Sequence, residues 1–174
     1  MRFVLRSFLV RNRLFSLLFA ILFFEAGGVI MAQEPPPRPI RIFPTAQTLS
    51  FGAFYHGATG GTVVIMPSGI RSSTGDVVLL GLAIPFSAAM FEVHAYPGTV
   101  ISILNGPDAT LTGVPSGSMT LHIGTSIPAS PFVSTVPFAV AIPLSIGGTL
   151  TVSNTVANPP GSYTGTFQIT LVRE

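Results

Sequence analysis

The residues able to do chemistry are few and scattered. Beyond residue 32 the histidines are His56, His94 and His122, and the carboxylates are Glu34, Asp76, Glu92, Asp108 and Glu174. His94 and His122 each fall on the polar side of a segment with period-two alternation. Were those two segments neighbours, both imidazoles, with Glu92 close by, would make a transition-metal site. Their spacing matches no metal motif, and His56 lies in a Gly-rich turn, so solvated surface histidines and no metal site are expected. A serine hydrolase needs an ordered nucleophile, base and acid. Gly-x-Ser-x-Gly is absent, and Val114-Pro-Ser-Gly-Ser118 has the composition of a turn. Asp76 follows Gly75 and Asp108 follows Pro107, both ordinary turn positions, so paired carboxylates for glycoside chemistry have no source. The chain is expected not to be an enzyme and to carry no catalytic residue and no cofactor.

Aromatic side chains offer binding rather than catalysis. The tyrosines are Tyr55, Tyr96 and Tyr163, with Phe54 and Phe132 as further candidates, and there is no tryptophan. Tyr96 precedes Pro97-Gly98 and is expected at a loop tip, which makes it the candidate ligand contact. Tyr163 stands where a tyrosine corner would be useful, its hydroxyl bonded back to a loop. For the other aromatics, core or turn packing is the expectation.

Charge excludes one class of partner. The sequence has no lysine, and four of its eight cationic residues are Arg2, Arg6, Arg11 and Arg13. Residues 33–174 carry Arg38, Arg41, Arg71 and Arg173 against the five carboxylates named above, a net charge of −1. Nucleic-acid binding requires clustered cations to displace counterions from phosphates, and no cluster exists here.

The arginines at the start belong to a different device. A cationic segment to Arg13, an apolar run Leu14–Phe24 and a small residue before the cut describe a secretory signal. The run is 11 residues, short of the ~20 that cross a bilayer. Cleavage after Ala32 is expected. Cleavage after Gly28, or retention as an anchor that would bury Glu25, are the alternatives. Membrane contact is then confined to export. With no cysteine there is neither a lipidation site nor a disulfide.

The elements that position these residues are short strands. All 16 prolines lie beyond residue 32, and the longest stretch there free of Pro and Gly is Phe86–Tyr96. That is too broken for helices, whereas strands need only 4–8 residues between turns. Apolar and polar residues alternate at Leu49–Phe51, Phe91–Ala95, Met119–Ile123, Leu150–Val152 and Phe167–Leu171, which puts one face of each in a core. Val63–Met66 and Val77–Leu80 are continuous apolar runs, expected as central strands. Phe138–Leu144 reads as core or as an exposed edge, with core favoured. Turns are expected at Pro67-Ser-Gly69, Tyr96-Pro-Gly98, Asn105–Asp108, Pro115-Ser-Gly117 and Pro159-Pro-Gly161. The expected fold is all-β: one immunoglobulin-like antiparallel β-sandwich of about eight to ten short strands. The domain organisation is a signal peptide at 1–32, a Pro-rich linker or arm at 33–46 and the sandwich at 47–174. In the arm, prolines 35, 36, 37, 39 and 44 favour polyproline II over a core strand. Only Ile40–Phe43 is clean, with Ile40 and Ile42 on one side and Arg41 on the other, a four-residue candidate donor strand.

Leu49-Ser-Phe51-Gly52, Gly61-Thr62-Val63 with Pro67-Ser-Gly69, Gly147-Gly-Thr-Leu-Thr-Val152 and Pro160-Gly-Ser-Tyr-Thr-Gly-Thr-Phe-Gln-Ile-Thr-Leu171 together resemble a secreted bacterial family, domain of unknown function 4402 (DUF4402). That resemblance implies export and the sandwich fold and assigns no activity. The closing stretch is also similar to the last strand of spore-coat-U-like and chaperone–usher pilin subunits, which polymerise by donor-strand exchange. Gly161 matches their glycine fourteenth from the end. Arg173 stands where they carry an aromatic, and their common disulfide has no counterpart. Low charge leaves few gatekeepers against edge-to-edge association. The expected function is therefore a secreted, periplasmic or cell-surface structural subunit, pilus-like or matrix-like, with self-association or a surface-assembly partner. A secreted glycan- or protein-binding module is the alternative.

Overall fold

Within residues 39–174, the part that the computed structural model describes, most of the alternating sequence becomes paired strand. The expected signal segment and residues 33–38 of the arm lie outside these residues. Thirteen antiparallel strands follow one another: β1 (Arg41–Pro44), β2 (Ser50–Phe51), β3 (Phe54–Ile65), β4 (Arg71–Leu79), β5 (Phe86–Ser87), β6 (Ala89–His94), β7 (Val100–Asn105), β8 (Ala109–Val114), β9 (Ser118–Ile127), β10 (Phe132–Val133), β11 (Ile142–Val152), β12 (Ser162–Thr164) and β13 (Ile169–Arg173). No helix occurs among the described residues. The strand count exceeds the expected eight to ten because β2, β5 and β10 are two-residue pairings that alternation cannot signal.

The strands form an antiparallel β-sandwich. One eight-stranded sheet runs β1-β6-β11-β9-β8-β12, with β3 beside β11 and β4 beside β3, and β10-β7-β13 form a second sheet. β11 is the keystone. Its first half pairs with β6 (Ile142↔Val93 to Ile146↔Ala89) and its second half with β3 (Gly148↔Ile65 to Val152↔Gly61). The exchange of neighbours occurs at Gly147, where a Cβ would stand 2.3 Å from the Ile65 carbonyl oxygen. Only glycine allows two backbones so close. Val93, Ala95, Met119, Leu121, Ile123, Leu150 and Val152 meet inside as expected, and Val63, Ile65, Leu144 and Ile146 complete one buried cluster with them. Ile101 of β7 joins it, with Ile103, Ile169 and Leu171 packed against it, so both sheets share that core.

Three expectations change. Val77–Leu80 belongs to an edge strand, because β4 has β3 as its only neighbour, and Val78 is exposed. Phe138–Leu144 is divided: Val140 is exposed in a loop, while Leu144 is fully buried in β11. The closing stretch, similar in sequence to one last strand, is two strands, because β12 pairs with β8 in the large sheet and β13 with β7 in the small one. Residues 165–168 carry the chain from one layer to the other.

Candidate functional site

The strand that carries the candidate donor residues borders both features described below. Arg41–Pro44, expected within the Pro-rich arm, lies along the edge of the chain's own large sheet: Arg41↔His94, Ile42↔Val93, Phe43↔Glu92 and Pro44↔Phe91. It forms where the prolines thin out, and an edge position tolerates Pro44. Because side chains alternate across a strand, Ile42 turns inward with Val93, while Arg41, Phe43, Glu92 and His94 share the outer face. Ile40 and Ile42 both pack against the core in cis.

On the inner side lies a groove of about 370 Å³, lined by Ile42, Pro44, Phe91, Phe167, Ile169 and Thr170 among others. Phe91 and Phe167 meet edge to face at 6.3 Å across it, tying the two layers together. The strands that flank the groove, β1 and β13, are each paired on one side only, with β6 and β7 respectively.

On the outer side is a chain of rings. Tyr96 stacks on Phe138 with centroids 4.9 Å apart and an interplanar angle of 25°. The Arg41 guanidinium lies 5.6 Å from the Phe138 ring centre. His94 Nδ1–H donates to the Phe138 carbonyl at 2.9 Å, and Phe43 meets the His94 ring edge-on at 5.8 Å. Local structure holds these rings. Pro97 and Gly98 close a turn in which Thr99 N–H donates to Tyr96 O, with Gly98 at φ +80°. Pro at the second and Gly at the third position are what such a type II turn demands. Buried Ser134 clamps it: its hydroxyl donates to Ala95 O, its N–H donates to Thr99 O, and its carbonyl accepts from Gly98 N–H. That clamp holds the loop carrying Phe138 beside the end of β6.

The expected loop tip at Tyr96 is thus found, and the ring is 38 % exposed. The other rings of the corner were not legible. Phe138 sits in an apolar run, Arg41 in a proline-rich arm, and only the β1–β6 register brings them together. His94 and His122 do not meet. β11 separates their strands, and its rungs to Val93 and His122 are Ile142 and Thr149, roughly 23 Å apart at strand spacing. His122 Nδ1 instead pairs with Asp108 at 2.7 Å, both side chains largely exposed, an arrangement worth little in stability. His56 Nε2–H donates to Asn158 O, tying β3 to the turn after β11. Tyr163 makes the expected corner: its hydroxyl donates to Pro159 O at 2.7 Å, and burial raises its phenol above the ordinary tyrosine value.

No curated protein and no solved structure matches the chain. The family described as Domain of unknown function (DUF4402) matches residues 42–172, from β1 to the last strand. The protein is therefore a member of the DUF4402 family.

Proposed function

We propose that the protein is a non-catalytic structural subunit of an assembly outside the bacterial cytoplasm, secreted, periplasmic or at the cell surface. Copies of the chain join edge to edge along the groove between β1 and β13. The observation that carries this reading is the pair of one-sided edges flanking an uncharged groove. An edge strand presents unpaired N–H and C=O groups to any chain that approaches, and soluble proteins ordinarily block such edges with charge. Arg41 and Arg173 lie on these two edge strands, but the groove lining itself has no charged side chain. The signal-like N-terminus and the pilin-like closing stretch support the same reading. Because β1 and β13 are both supplied in cis, the sandwich needs no foreign strand to be complete, and association adds strands to finished sheets.

The test is sedimentation velocity across a concentration series, comparing the wild type with Thr170→Lys. Thr170 is exposed and lines the groove, so the lysine places a gatekeeper at the edge without touching the core. Removing residues 33–44 would be a poorer test, since it strips β1 from its sheet.

A further inference from the structure

We infer that the outer corner built from Tyr96, Phe138, Phe43, Arg41, Glu92 and His94 is a binding site for a neutral, β-linked, gluco-configured oligosaccharide. The inference is independent of self-association, which uses the other side of β1.

Three features of the corner point to this ligand class. The first is a rigid aromatic surface. Tyr96 stacks on Phe138, the Arg41 guanidinium also lies over the Phe138 ring, and buried Ser134 holds the underlying turn. Such a ring loses little freedom on binding. Tyr96 is 38 % and Phe43 48 % exposed, although both belong to a ring cluster that a core would normally absorb. A pyranose with all substituents equatorial presents axial C–H bonds on each face, and these pack on the negative face of an aromatic ring.

The second feature is the set of polar groups around the rings. Arg41 brings guanidinium donors, Glu92 carboxylate acceptors and His94 its Nε2, which suits the alternating donor and acceptor demand of sugar hydroxyls. Apart from Arg41 lying over the Phe138 ring and His94 Nδ1–H bonding the Phe138 carbonyl, these groups are less committed than others. Arg71 gives its guanidinium to the carbonyls of Phe51, Ala53 and Leu80, and Asp108 faces His122. Arg41 and Glu92 make no ion pair among the described residues.

The third feature is charge. The corner holds one cation and one anion, which offset each other, so nothing there selects a polyanionic glycan. Phe43 and Tyr96 are joined through His94 and Phe138, and the proposed ligand is an oligomer that covers both exposed rings. A β-1,4-linked chain keeps its faces flat from unit to unit, whereas an α-1,4-linked chain coils.

The experiment is isothermal titration of the protein, purified after expression of the full chain, with cellohexaose, chitohexaose and maltohexaose at millimolar concentration. Binding of a β-linked hexamer, tighter than its monomer and tighter than maltohexaose, is expected. Tyr96→Ala should weaken it at least about tenfold, the loss typical of a central aromatic anchor. Tyr96→Phe should retain it within about threefold, because the ring is kept. Thermal melts of both variants establish that the fold survives. Absence of binding to both β-linked hexamers overturns the inference, as does binding that persists in folded Tyr96→Ala. A synthetic peptide of residues 33–39 binding at the corner while the sugars do not would likewise overturn it, making the corner a polyproline dock.

Discussion

Replacing Tyr163 by Phe removes one atom whose role the structure defines. The phenol oxygen donates to the Pro159 carbonyl at 2.7 Å, four residues upstream, and so ties β12 to the turn before it. The ring lies against Gly113 and Gly117: a Cβ on Gly113 would fall 2.5 Å from Tyr163 Cε1, and one on Gly117 would fall 2.8 Å from Tyr163 Oη. Phenylalanine keeps that packing and deletes only the hydroxyl. The expected cost near neutral pH is one net hydrogen bond, about 1 kcal/mol, or roughly 4 °C in melting temperature for a domain of this size. Alkaline pH adds a second readout. Burial holds the folded-state phenol above its unfolded value, so the folded chain keeps its proton where the unfolded chain has released it. This contribution is complete below about pH 10, the unfolded value. It is lost as pH rises through the higher folded value. Tyr163→Phe has no such component, and Tyr55 and Tyr96 are common to both proteins and cancel. Melts followed by circular dichroism between pH 7 and 11 should therefore show a gap that narrows above pH 10. A variant as stable as wild type at pH 7, or a gap that stays constant or widens at high pH, would refute the tyrosine corner as an energetic feature.

Two further substitutions test the frame. Gly147→Ala should destabilise by at least about 1–3 kcal/mol, because its Cβ meets the Ile65 carbonyl oxygen, the Pro67 nitrogen and the Met66 carbonyl carbon, all of them backbone. Urea denaturation measures this, and an unchanged midpoint would mean that β11 changes neighbours without a close approach. Asn158→Ala should cost about 2–4 kcal/mol by leaving the Ser153 N–H and the Ser118 carbonyl without the side chain that now satisfies both. The same titration would detect it, and a loss below about 0.5 kcal/mol would show that water replaces the amide at little cost.

Much of the frame was legible because period-two alternation is a local signal. Met119, Leu121 and Ile123 face inward as read, and so do Val93, Ala95, Leu150 and Val152. The turns at Pro67–Gly69 and Tyr96–Gly98 carry the residues that their backbone requires. What alternation does not encode is which strand lies beside which. β4 looks as apolar as a central strand at Val77–Leu80, yet its place at the sheet edge depends on pairing with β3 alone. Alternation runs unbroken through Phe167, Ile169 and Leu171, and it hides the crossing between layers at 165–168. Arg41 and Phe138 are far apart in sequence and belong to stretches read as spacer and as core. Their meeting is set by the register Arg41↔His94 and by the Ser134 clamp, neither of which leaves a local mark. Tyr163 was the exception, since its partner lies only four residues away.

The most direct test of edge-to-edge assembly is sedimentation velocity of the protein purified after expression of the full chain, wild type beside Thr170→Lys. A surface lysine there should leave the melting point nearly unchanged, within about 0.5 kcal/mol of wild-type stability. The account predicts a wild-type sedimentation coefficient that climbs with concentration and a variant that remains monomeric throughout. A wild type that stays monomeric at every concentration, or an association that Thr170→Lys leaves intact, would contradict it.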